Sequence, residues 1–140
     1  MVAPKYLLDT NVLSEPARPR PNPGLIERME ACRAEIATAA TVWHELTYGL
    51  ERLPPSRKRT AIASYLDDLR SSVMPVLAYD EKAAEWHART RARLESVGRS
   101  VAFRDSQIAA VAVIHGLIMV TANVSDFAPL AGLEVENWMA

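Results

Sequence analysis

Four short stretches of this 140-residue chain carry residues whose types and spacing could do chemistry together. Asp9-Thr10-Asn11 follows the apolar run Tyr6-Leu7-Leu8. Glu45 falls within the apolar stripe Val42, Leu46, Gly49 and Leu50, where a carboxylate needs a partner, a proton or a cation. Arg104-Asp105 opens the segment that leads into Ile108–Ile114, and Thr121, Asn123 and Asp126 follow Leu117–Val120. Such an all-oxygen set, with no Cys and no His at metal-site spacing, suits Mg²⁺ or Mn²⁺ over Zn²⁺. The chemistry that fits is metal-assisted hydrolysis of a phosphodiester, in which a hard cation activates water and stabilises charge on phosphate oxygens. No Ser-His-Asp order, Gly-rich phosphate loop or Cys-His pair competes. Each piece also has a plainer reading. Asp9 is then a turn residue beside a capping Asn11, Asp105 a helix cap, and Glu45 a solvated residue at a stripe edge.

These residues are remote in sequence, so the elements around them must gather them. Tyr6–Leu8 reads as a buried strand ending at Asp9 and turning into a brief helix near Asn11–Glu15. Ile36–Ala39, Pro75–Ala78, Leu117–Val120 and Leu133–Trp138 read as four further strands, the last at an edge. Helices alternate with them, which predicts an α/β domain over residues 1–140 with a mostly parallel central sheet covered on both faces. A helix that follows a strand begins at that strand's carboxyl end, which puts Glu45 near Asp9. A helix that precedes a parallel strand starts at the same edge, which puts Asp105 there on the positive end of a helix dipole. Asn123 and Asp126 leave the fourth strand at that edge too. Open α/β sheets build their sites there.

The punctuation between elements is explicit. Four prolines within Pro16–Pro23 predict an extended surface loop. Asn22 caps a helix with Pro23 at its first position and Leu25, Ile26, Met29 and Cys32 facing inward. Thr41, Ser56 and Asp80 are expected to cap the next three helices, with Pro54-Pro55 stopping the first of them. The apolar side of the helix over 56–72, with Ile62, Tyr65, Leu66 and Leu69, reads as core packing. His87, on the stripe Ala83, Thr90 and Leu94, reads as a structural histidine.

Composition bounds the class. Hydrophobic content of 49% and charged content of 24% fit a globular domain, and a net charge of −1 does not mark a basic nucleic-acid binder. Arginine outnumbers lysine 13 to 3, which permits phosphate contacts without requiring them. Cys32 is the only cysteine, so no internal disulfide forms. With no signal-peptide pattern and no membrane-length apolar run, the expected location is cytoplasmic.

With these residues in place, the sequence resembles the PIN-domain ribonucleases, specifically the VapC-type toxins of bacterial toxin–antitoxin pairs. Leu7-Leu8-Asp9-Thr10-Asn11-Val12-Leu13-Ser14-Glu15 is similar to that family's opening block, and Trp43-His44-Glu45 through Pro54 to its second. Asp105-Ser106-Gln107-Ile108-Ala109-Ala110 resembles the third, Val120-Thr121-Ala122-Asn123-Val124-Ser125-Asp126-Phe127 the fourth, and Gly132 through Trp138 the ending. The resemblance implies a three-layer α/β/α PIN-like fold and Mg²⁺-dependent endoribonuclease activity, with Mn²⁺ as a substitute. It also implies a homodimer, inhibition by a cognate VapB-like antitoxin, and tRNA or ribosomal RNA as substrate. Carried over, Asp9, Asp105 and Glu45 are the metal ligands and catalytic acids, with Asp126 as a further acid. Thr10, Asn11, Arg104, Thr121 and Asn123 are the candidate substrate-binding groups. Some family members have an acid where Asn123 stands; Asn adds an oxygen but no charge, and Asp126 is the alternative for that fourth position. Arg104 stands where a small residue is commoner, and phosphate or the antitoxin are its expected contacts. The helix over 56–72 is a secondary candidate for part of an antitoxin groove.

Three other readings share some of these features. A phospho-receiver module pairs two acids after its first strand and places a Lys after its last; here Asp9 is single, and Lys5, Lys58 and Lys82 are badly placed for that role. A catalytically degenerate PIN-like module that only binds RNA or protein is opposed by the intact Asp9, Glu45 and Asp105. A structure-specific DNA nuclease shares the chemistry but usually carries insertions absent here.

Overall fold

A computed structural model of the chain describes residues 3–139; the ends of the expected unit, residues 1, 2 and 140, lie outside it. Strands β1 (Tyr6–Leu8), β2 (Ile36–Ala39), β3 (Val76–Leu77), β4 (Ile118–Val120) and β5 (Val135–Glu136) form one sheet in the order β3-β2-β1-β4-β5. Every pairing is parallel, so the predicted mostly parallel sheet is parallel throughout its described strands. Helices α1 (Thr10–Leu13), α2 (Pro23–Ala31), α3 (Ala40–Glu51), α4 (Arg57–Ser71), α5 (Glu81–Ser96) and α6 (Phe103–Ile114) complete a three-layer α/β/α arrangement.

The central strands are buried on both faces, which is why β1 reads as a continuous apolar run; in β2 the one polar residue, Thr38, donates its hydroxyl to the Leu8 carbonyl at 2.9 Å. Leu7, Leu8, Ala37, Ala39, Met119 and Val120 are fully inaccessible. Helix α6 packs against α5 and contributes Ile108 through Ala112 to the same core. The edge strands are shorter than predicted. An edge strand pairs on one side only, and Pro75 has no N–H to donate; its carbonyl accepts the Thr38 N–H at 3.0 Å before β3 begins.

Three of the predicted caps stand. Asn22 accepts from Leu25 N–H, Ser56 from Arg59 N–H and Asp80 from Ala83 N–H, at 2.9–3.0 Å. Thr41 does not cap α3. The chain passes from β2 into α3 with no intervening residue, Ala39 occupies the cap position, and Thr41 lies inside the first turn. The proline segment is not extended from its start either, because Glu15–Ala17 makes a 3₁₀ turn with Pro16 near its amino end, where a missing N–H costs nothing.

Glu15 itself is buried and accepts the Asn22 N–H at 2.8 Å and Arg18 at 3.1 Å, which ties the two ends of the loop together. His87 is a buried structural residue, with Nδ1 2.8 Å from the Tyr79 hydroxyl. Within α4, Leu66 is in the core, while Ile62, Tyr65 and Leu69 pack partly against it. The Tyr65 hydroxyl donates to the Leu13 carbonyl and so anchors α4 to the turn that follows Asp9.

Candidate active site

The strand order reverses between β1 and β4. The chain leaves β1 towards β2 and β3, then crosses back to place β4 on the other side of β1. At such a switch point the carboxyl ends of two adjacent strands diverge into a crevice. Asp9 leaves β1 there and Thr121 leaves β4 there, with the Asp9 N–H bonded to the Val120 carbonyl at 2.9 Å.

Asp9 is only 2% exposed, and its carboxylate is held from three directions. Oδ1 accepts the Thr10 N–H at 2.8 Å, and Oδ2 accepts the Thr121 hydroxyl at 2.9 Å and the Asn11 amide at 3.3 Å. Asp9 is thus the N-cap of α1, the place the plainer reading gave to Asn11. Asn11 instead bridges the strands, with its Oδ1 accepting the Ala122 N–H at 2.9 Å and its amide also reaching Thr121 Oγ1 at 3.3 Å. The Asn123 N–H donates to the same Thr121 oxygen at 3.1 Å. A carboxylate fixed in this way holds its direction.

Asp105 arrives from the opposite side. Helix α6 begins at Phe103, one residue earlier than predicted, with Ala102 at the cap position. Asp105 is therefore the third residue of the first turn and not a cap, with its side chain largely buried at the positive end of the helix. Burial pushes its carboxyl up from the ordinary value of 3.8; the Arg104 guanidinium pulls it down, and the charges of Asp9 and Asp126 push it up again. Glu45, on the second turn of α3, is the most open of the three acids, with a third of its side chain exposed. It stands beside an apolar groove of about 670 Å³ walled by Thr10, Leu46, Leu50, Ile62 and Tyr65.

Arg104 joins the two halves. Its guanidinium lies 3.0 Å from Asp105 Oδ1, 3.7 Å from Glu45 Oε1 and 3.5 Å from Thr10 Oγ1. These bridges to the two acids are contacts the sequence did not disclose. The one available signal was a cation directly beside an acid at a helix start, which does not fix where a long side chain points. Asp126 is exposed on the 3₁₀ turn Val124–Phe127 and Asn123 is exposed just before it, and the charge of Asp126 is felt at Asp105.

The edge so built is rich in carboxylate oxygen and carries no nitrogen or sulfur ligand, the donor set of a hard divalent cation. Among the described residues, no three Asp, Glu, His or Cys side chains converge closely enough to hold an ion as they stand. What lies between Glu45 and Asp105 is a cationic side chain, so the acids fit a positive charge and already face one.

Comparison with known proteins identifies the family. Residues 6–133 match the PIN domain family. The chain is 33% identical to the tRNA(fMet)-specific endonuclease VapC of Shigella flexneri, over 96% of this chain and 98% of that protein. It is 32% identical to Toxin FitB of Neisseria gonorrhoeae, over 86% and 89% respectively. Among solved structures, VapBC2 from Rickettsia felis, bound to a DNA fragment from its promoter, superposes with a TM-score of 0.82 at 26% identity, covering 98% of this chain and 99% of that one.

Proposed function

The chain belongs to the PIN-domain family, in its VapC branch, and on that footing we propose that it is a divalent-metal-dependent endoribonuclease acting as the toxin of a toxin–antitoxin pair. What supports this reading is that Arg104 ties Glu45 to Asp105 at the same sheet edge at which Thr121 and Asn11 fix Asp9. Asp9, Asp105 and Glu45 would hold a Mg²⁺ or Mn²⁺ ion, which would supply positive charge to acidify a water and stabilise phosphate oxygens. Asp9 and Asp105 are the ligands in this proposal, with Glu45 as the third acid and Asp126 in support. Asn11 and Thr121 orient Asp9. Thr10 and Arg104, on the open side of the acids, present a hydroxyl and a guanidinium to the RNA backbone, and Asn123 adds a neutral polar group at the rim.

The Shigella relative bears the name of a tRNA endonuclease, which makes tRNA the first substrate class to test, ahead of ribosomal RNA. The Rickettsia felis neighbour is a VapBC2 assembly, which supports a VapB-like partner here. The apolar groove beside Glu45 is the face from which such a partner would reach the acids. No helix among the described residues is long and apolar enough to cross a membrane; the cytoplasmic location and the homodimer belong to this proposal.

The test is cleavage of a cellular RNA pool by antitoxin-free protein with Mg²⁺, with Mn²⁺ or with EDTA, alongside Asp105→Asn. Discrete fragments that need metal and vanish in the variant are expected. Folded protein that cuts nothing under any condition would instead identify a binding module. The phospho-receiver reading falls with the family assignment. The insertions expected of a structure-specific DNA nuclease are absent, since the chain matches its relatives nearly end to end.

A further inference from the structure

The Arg104 guanidinium contacts the Asp105 and Glu45 carboxylates and the Thr10 hydroxyl, at 3.0, 3.7 and 3.5 Å. Asp105 is buried, and the charges of Asp9 and Asp126 also act on it. Four carboxylates at one edge repel one another unless a cation intervenes. Within this cluster the cation is Arg104, which cannot lose its proton in a protein.

We propose that Arg104 is a built-in counter-ion that holds the cation position of the acidic edge and competes with the divalent metal for it. The inference rests on the metal-dependent reading above and adds a control to it. While Arg104 lies between Glu45 and Asp105, an incoming divalent ion meets a positive charge a few ångströms from its ligands, and full engagement of Asp105 Oδ1 requires the guanidinium to leave. It is free to do so, because 41% of the side chain is exposed and its stem is long and flexible. Arg104 therefore sets the metal concentration at which the site fills, and offsets the repulsion among the acids when no metal is bound.

The residue's position explains why a small side chain would not do the same. Arg104 is the second residue of α6, directly before Asp105, so its fork can fold back over its neighbour and span to α3. Alanine there would leave the carboxylates to a metal alone.

The experiment is Mn²⁺ binding, followed by the loss of free-ion signal in electron paramagnetic resonance, for wild type, Arg104→Gln, Arg104→Lys and Asp105→Asn. Arg104→Gln is expected to bind about tenfold more tightly than wild type, with Arg104→Lys, which keeps the charge, within about threefold of wild type. Melting in EDTA gives a second readout. Arg104→Gln melts below wild type when metal-free and gains more from the same excess of Mn²⁺, because a ligand that binds only the folded state stabilises it more the more tightly it binds. Equal or weaker Mn²⁺ binding by Arg104→Gln, with wild type still binding and Asp105→Asn not, would overturn the counter-ion role while leaving the nuclease reading intact. Absence of Mn²⁺ binding in all four folded proteins would overturn the metal site itself, and the counter-ion role with it.

Discussion

The hydroxyl of Thr121 donates to Oδ2 of Asp9 at 2.9 Å, across 112 residues of sequence. The bond spans the crevice between β1 and β4, and both residues are almost wholly buried. Thr121 also accepts the Asn123 N–H and the Asn11 amide, so a single hydroxyl sets the direction of the acid and the start of the following turn.

Replacing Thr121 by Val keeps the shape and removes the hydroxyl. Asp9 keeps the Thr10 N–H and loses its strongest bond to Oδ2, while the Asn123 N–H loses its acceptor. A hydrogen bond to a charged group contributes about 1.5–3 kcal/mol, and that is the expected fall in unfolding free energy in urea. Thr121→Ser should recover most of it. RNA cleavage should follow the same order, wild type above Ser above Val.

Glu15 carries a second prediction. Its carboxylate is buried and accepts the backbone N–H of Asn22, the residue that caps α2. Arg18, with 69% of its side chain exposed, adds little to that bond. Glu15→Ala orphans the Asn22 N–H and should cost about 2 kcal/mol, with Glu15→Gln costing less because it retains an acceptor. Hydrogen exchange at the Asn22 amide should rise in Ala and remain slower in Gln. An unchanged Asn22 amide would show that the proline loop is held by other contacts.

The fourth polar position distinguishes Asp126 from Asn123. Asp126 is exposed, yet its charge reaches Asp105, whereas Asn123 is bound through its backbone N–H. Asp126→Asn should reduce cleavage at limiting Mg²⁺ by about tenfold, on the order of 1.4 kcal/mol, and high Mg²⁺ should restore part of it. Asn123→Ala should change it by less than about threefold. The reverse order would move the fourth position to Asn123.

How much of this could be read beforehand depended on range. Asn22, Ser56 and Asp80 cap their helices as expected because a cap bonds within three residues of itself. Thr41 failed as a cap because β2 runs straight into α3, and the register of that junction is set by the sheet. Parallel topology alone placed Glu45, Asp105 and Thr121 at the edge of Asp9, since every strand ends there. The bond from Thr121 to Asp9 and the fold-back of Arg104 over Asp105 and Glu45 are side-chain choices within that edge. No spacing or periodicity encodes them. Glu15 escaped for a related reason, since a loop acid that turns inward to meet a backbone N–H looks the same in sequence as one that faces water.

His87 yields the pH prediction, away from the acidic edge. Its ring is buried between Tyr79 and Phe103, and Nε2 has no hydrogen-bond partner. Burial lowers its pKa below the ordinary 6.5, and the charge of Arg91 lowers it further. Above 6.5 the imidazole is neutral in both folded and unfolded chains, and the full stability is present. As the pH falls below 6.5, the unfolded chain takes up a proton that the folded chain resists, so stability is lost until the pH passes the lowered folded value. His87→Gln cannot take up that proton. Its urea midpoint should lie below that of wild type at pH 8, because the ring packing is lost, and the gap should narrow as the pH drops from 6.5 towards 5. A gap that stays constant across that range would mean that His87 titrates alike in both states and that its burial is relieved in solution.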